Sequence, residues 1–185
     1  MDKKELNIVA LCASESSPGN YALILEEPLS KVRVPIIIGT FEAQSIAVYF
    51  ERMKIQRPLT YDLFKNTIAS LDATVQEVVI YDLADNVFHA WLVLLRSDGT
   101  EIKIDARASD AIAIGIRFDS PVSMYDFVLQ EASVAESEKR LSLLKGSLAH
   151  YSSEALEDLL EDLLKKEDYE SAARIRDMIE RRKKK

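Results

Sequence analysis

In "IKIDARASDAIAIGIRF", residues 102–118, Asp105, Arg107, Ser109 and Asp110 cluster where an alternating apolar and charged run gives way to helical spacing. If Asp105 closes a strand and Asp110 opens the next helix, the short connection brings both carboxylates to one mouth of a sheet. Such a pair suits a divalent metal ion, Mg2+ or Mn2+, which takes oxygen ligands, orients a water and neutralises a phosphate. Arg107 between them has the planar fork that grips a phosphate with two parallel hydrogen bonds. The same residues also have a structural reading. An acid in a first helical turn answers the helix dipole, and Asp105 with Arg107 makes a local ion pair.

Further candidates lie elsewhere in the chain. His89 shares a strand face with Val87 and Trp91, and an imidazole of ordinary pKa, roughly 6.5, can serve as a general base. As a packed strand residue it would do no chemistry. Arg57 and Lys65, both in "RPLTYDLFKN", are placed to meet phosphate or simply to face water. Glu42 follows Thr40, and Asp62 follows Thr60, at positions where acids favour helix starts. Tyr49, Tyr61, Phe88 and Trp91 offer base-stacking rings, although their spacing also fits core packing.

These residues need a scaffold, and the pattern supplies one. "LNIVALCAS" and "YALILEE" flank the turn-forming Pro18, Gly19 and Asn20 and predict a hairpin. "VRVPIIIG" reads as a third strand, with Pro35 favouring an edge. Thr40 is the expected cap of a helix with Phe41, Ile46, Tyr49, Phe50 and Met53 along its apolar stripe. Thr60 is the expected cap of another, with Leu63, Phe64, Ile68 and Leu71 on its buried side. "TVQEVVIYDL", "VFHAWLVLL" and "TEIKIDA" predict three consecutive antiparallel strands, the last two joined through Asp98 and Gly99. Ser109 should cap the helix that follows, and "VSMYDFVLQEA" reads as a short helix. The class is α+β, with a mixed, mostly antiparallel sheet and packed helices.

Composition shifts near Ala132, which divides the chain into a main domain over 1–131, a linker over 132–152 and a helical hairpin over 153–185. In the hairpin, Leu160 and Leu163 lie on one stripe, and Tyr169, Ala172, Ile175 and Ile179 on the other. So small a unit needs a partner, either another protein or a second copy, which makes a homo-oligomer the expected form.

Charge and composition narrow the function. Residues 1–131 carry 12 Lys and Arg against 19 Asp and Glu, whereas the remainder carries 12 of each. An acidic domain lacks the broad basic face of a sequence-independent nucleic-acid binder, yet a carboxylate-built metal site is itself acidic. The single thiol, Cys12, fits a reducing, cytoplasmic setting. Asp2, Glu5 and Asn7 break the resemblance of the amino-terminal run to a secretory signal, and no stretch approaches the roughly 20 apolar residues of a membrane span. Walker, dinucleotide-glycine, paired CxxC and HExxH patterns do not occur.

Two regions resemble known families. "LEDLLEDLLKKEDYESAARIRDMIERRK" resembles the UVR motif of UvrB and UvrC, which implies a protein-contact hairpin. "PIIIGTFEAQSIAVYFE", "RPLTYDLFKN", "VVIYDLADNVFHAWLVL" and "IDARASDAIAIGIR" resemble the bacterial and plant bifunctional nuclease domain across most of residues 6–131. Ala108 departs from that pattern, which usually has proline between the arginine and the serine. The resemblance implies hydrolysis of phosphodiester bonds in RNA and DNA. The alternative is a non-enzymatic stress or regulatory adaptor whose acidic domain binds a protein or small ligand.

Overall fold

A computed structural model describes residues 2–14, 17–133 and 176. Contacts divide the chain into two units, Met1–Val134 and Ala135–Lys185. In the second, Arg176 is helical and exposed. The expected contact residues Leu160, Leu163, Tyr169, Ala172, Ile175 and Ile179 lie outside the described residues.

The first unit begins with β1 (Lys3–Ala13), β2 (Tyr21–Glu26) and β3 (Arg33–Ile38), then α1 (Thr40–Phe50) and α2 (Thr60–Ser70). There follow β4 (Ala73–Ala84), β5 (Val87–Arg96), β6 (Glu101–Arg107), α3 (Ala108–Gly115), a 3-10 turn (Ile116–Phe118) and β7 (Val122–Tyr125). Residues 126–133 are helical. The sheet has seven strands in the order β3-β2-β1-β7-β4-β5-β6. Every neighbouring pair is antiparallel except β4 with β7, so the α+β class with a mixed, mostly antiparallel sheet holds.

Local chemistry explains the joints. Asp85 and Asn86 both take positive φ, 51° and 62°, in the tight β4–β5 turn, and short polar side chains tolerate that region best after glycine. Gly99 at φ 84° closes the β5–β6 hairpin. Pro35 sits on the edge strand β3, where a missing N–H costs no ladder bond.

"VSMYDFVLQEA" corrects the expectation of a single helix. Val122–Tyr125 is β7, which lies between β1 and β4, and the helix starts only at Asp126. Alternation decides it: Val122 and Met124 point into the core, and Val128, Leu129 and Ala132 follow at helical spacing. Ala132 is itself a core residue.

The core lies between the sheet and α3. Every residue of α3 except Asp110 is buried, so this helix runs through the middle of the unit, not along its surface. Small residues allow it: Gly115 lies so close to β4 that a Cβ there would overlap Val78 Cγ2. Against it pack Val78 and Ile80 of β4, Ala90, Leu92 and Leu94 of β5, and Met124 of β7.

The outer helices are less buried than their apolar stripes predict. In α1, Ala43, Ser45 and Ile46 face inward while Phe41 is 83% exposed and Phe50 half-exposed. In α2 only Ile68 is buried; Leu63 is 61% and Leu71 68% exposed, and Phe64 also faces out. Since α3 takes the central position over β4 and β5, α2 touches the core along one edge and leaves its other apolar side uncovered. The caps also shift by one or two residues: Gly39, Leu59 and Arg107 hold the N-cap positions expected of Thr40, Thr60 and Ser109.

Candidate functional site

Arg107 ends β6 at the residue before α3, and its guanidinium reaches the first turns of two helices. Nε donates to Asp110 Oδ2 at 2.7 Å, and Nη2 donates to Asp110 Oδ1 at 3.1 Å and to Glu42 Oε1 at 2.8 Å. Tyr61, in the first turn of α2, donates from Oη to Asp110 Oδ1 at 2.5 Å. Two helix starts and one strand end thus meet at a single guanidinium, the start of α2 reaches it through Asp110, and the Arg107 side chain is 66% open to solvent. Acids in first helical turns and an arginine between them are mutually favourable.

The charges perturb one another in a consistent direction. Asp110 and, after it, Glu42 hold the Arg107 guanidinium even more firmly protonated than usual. Burial, reinforced by the hydrogen bond to Asp110, raises the Tyr61 phenol well above its ordinary value. Tyr61 is therefore a neutral hydrogen-bond donor at physiological pH. Arg107 Nη1 has no acceptor among the described residues, and it belongs to an exposed group. It is available to an anion.

Asp105 does not join this cluster. It stands opposite Trp91 in the β5–β6 register, and the neighbours of Trp91, Ala90 and Leu92, point into the core. Strand alternation therefore turns Asp105 toward the other sheet face, where Tyr81 Oη donates to it at 3.0 Å. The expected Asp105–Asp110 pair is thus separated: one carboxylate serves the strand face, the other the helix layer. Among the described residues no three His, Cys, Asp or Glu side chains are grouped to hold a metal ion. Only Glu42 and Asp110 converge, and the cation between them is Arg107. This donor set does not fit a resident Mg2+ or Mn2+ ion, which needs more oxygens and would compete with the guanidinium.

Of the other candidates, His89 stands directly opposite Arg107 in the β5–β6 register, whereas Lys65 and Arg57 belong to α2 and the α1–α2 connection. His89 lies on the Asp105 face, 6.1 Å between ring centroids from Tyr81. Tyr81 stacks on Trp91 at 4.1 Å, and Lys103 Nζ lies 5.1 Å from the Trp91 ring. Lys65 Nζ lies 5.8 Å from the Phe118 ring, and Arg57 is exposed in the α1–α2 connection. No hydrogen bond or ion pair between described residues links His89, Lys65 or Arg57 to Arg107.

Sequence reasoning did not place Glu42 or Tyr61 beside Arg107. The first turns of α1 and α2 carried the only signal, an acid after each expected cap. Asp62 does serve its helix start, accepting the Leu59 N–H at 2.9 Å.

A family model described as "Bifunctional nuclease domain" matches residues 23–137, and one described as "UvrB/uvrC motif" matches residues 154–185. Uncharacterized proteins from two strains of Mycobacterium tuberculosis are each 38% identical to this chain over 112 residues. The match covers 60% of this chain and 66% of each relative, a little under two thirds of their length.

Proposed function

The chain belongs to the bifunctional nuclease domain family, and from that premise we propose that it hydrolyses phosphodiester bonds of RNA and DNA at the cluster around Arg107. The observation that carries the proposal is the exposed guanidinium, fixed by Asp110 and Glu42 while Nη1 remains available to a phosphate oxygen. In this reading Arg107 binds the phosphodiester and offsets the charge that builds on it. Glu42 receives a proton as water attacks phosphorus, the P–O ester bond breaks, and the leaving oxygen takes the proton up. Tyr61 holds Asp110, and Asp110 holds Arg107. No step is assigned to a metal ion, and Mg2+ and Mn2+ enter as variables of the test. The UvrB/UvrC-type motif serves as a contact module for a partner protein or a second copy, in the cytoplasm.

The test uses the full chain with end-labelled single-stranded RNA and DNA, in chelator and in Mg2+ or Mn2+, beside Arg107→Lys. The reading expects cleavage by the wild type and its loss in the variant, because an ammonium keeps the charge but not the fork. Silence of the wild type under every condition selects the adaptor reading. A separate observation favours that alternative: the uncovered apolar side of α2 formed by Leu63, Phe64 and Leu71.

A further inference from the structure

Arg117 is 3% exposed, yet it is fully partnered. It follows α3 in the 3-10 turn and donates to all three helices that build the site. Nε meets Asp62 Oδ1 of α2 at 2.7 Å, and Nη1 meets the Ala113 carbonyl of α3 at 2.7 Å. Nη2 meets Ser45 of α1, Oγ at 3.0 Å and the carbonyl at 3.3 Å. The guanidinium also lies 5.5 Å from the Tyr61 ring and 5.7 Å from the Tyr49 ring.

Each anchor lies within one helical turn of a site residue. Ser45 follows Glu42 by three positions, Ala113 follows Asp110 by three, and Asp62 is next to Tyr61. A shift of any one helix against the others would therefore break a bond to Arg117 and, within the same turn, move a side chain at Arg107. Only a planar group with several donors in fixed directions can hold three helices in this way.

We propose that Arg117 is a positioning residue, which sets the register of α1, α2 and α3 so that Glu42, Tyr61 and Asp110 meet around Arg107. This rests on the nuclease reading for its catalytic consequence and on geometry alone for the placement of Tyr61. Arg117 touches no substrate.

The test compares Arg117→Lys and Arg117→Gln with the wild type, and adds Ser45→Ala, which deletes one bond and spares the buried charge. Four quantities are read: melting temperature, kcat and KM for single-stranded RNA at a temperature where each variant is folded, and the NMR chemical shift of the 13Cζ-labelled Tyr61 phenol at neutral pH. We expect kcat per folded molecule to fall about tenfold or more in both Arg117 variants while KM, set by Arg107, stays within about twofold. The Tyr61 13Cζ resonance should move away from its wild-type position as its bond to Asp110 loosens, with Ser45→Ala intermediate and lysine giving no rescue. A merely structural arginine would lower the melting temperature while kcat and the Tyr61 resonance stay at wild-type values, and that result overturns the proposal. If both Arg117 variants fail to fold, Ser45→Ala decides by the same two readouts. If the wild type cleaves nothing, the nuclease reading falls, and the Tyr61 resonance, which reports its bond to Asp110, alone decides the positioning role.

Discussion

Glu42 folds back over its own helix start so closely that a Cβ on Gly39 would lie 2.5 Å from Glu42 Oε2. Glycine is needed here for space and not for backbone freedom, since φ is −72° at this N-cap. Gly39→Ala should therefore leave α1 intact, with a melting temperature near that of the wild type, because the obstructed atom is the end of a flexible side chain. The carboxylate should be displaced from Arg107, and cleavage should drop to the level of Glu42→Gln. Full activity in Gly39→Ala would show that Glu42 can serve from another rotamer.

The separation of the two aspartates gives a sharp contrast. Asp110→Asn removes the charge that holds Arg107, whereas Asp105→Asn retains an amide oxygen able to accept from Tyr81. Cleavage should fall by about two orders of magnitude in the first and change less than about twofold in the second. Equal losses in kinetic assays of both variants would place Asp105 back in the site.

Packing of α3 on β4 is testable through Gly115. Gly115→Ala drives a methyl into Val78, and overpacking of this kind costs about 1–3 kcal/mol. Val78→Ala should recover part of that loss in the double variant, by making room at the same contact. Chemical denaturation of the four proteins of the cycle measures the coupling, and additive effects would contradict the close approach.

Stability toward acid should depend on Asp62. Burial alone would raise its carboxyl, but the hydrogen bond from Arg117 and the Leu59 N–H outweigh it and leave Asp62 below its ordinary value. The folded state therefore binds this proton less readily than the unfolded chain, so the contribution is complete above the ordinary aspartate pKa, about 3.9, and is lost as pH falls through the lower folded value. Asp62→Asn should remove that part of the acid dependence and destabilise the protein at neutral pH by on the order of 3 kcal/mol, because Arg117 loses its buried counter-charge. Parallel stability–pH curves for the two proteins would argue against the pair.

The strand-to-helix joint at Asp105 to Asp110 was legible because alternation and helical spacing meet there within a few residues. The partners of Arg107 were not: Glu42 is 65 positions away in sequence, and Tyr61 is 49 from Asp110. Only the crossing of three helices brings them together, and no local period encodes a crossing. Val122–Tyr125 escaped notice because four residues give alternation too little length to stand out beside the following helix. Leu63 and Leu71 misled for a different reason. An apolar stripe shows that a helix has a side suited to burial, without showing that anything covers it.

The central place of β7 governs how the chain can be made. Two meanders, β1 to β3 and β4 to β6, form from neighbouring segments, but they are joined only when Val122–Tyr125 enters between Lys3–Leu6 and Val78–Ile80. During synthesis, β1 and β4 must wait with unpaired edges until Val122–Tyr125 has left the ribosome. The sheet therefore closes in one late, long-range step. A ribosome stalled before residue 121 would hold two half-sheets whose facing edges, β1 and β4, stay unpaired, a natural substrate for chaperones.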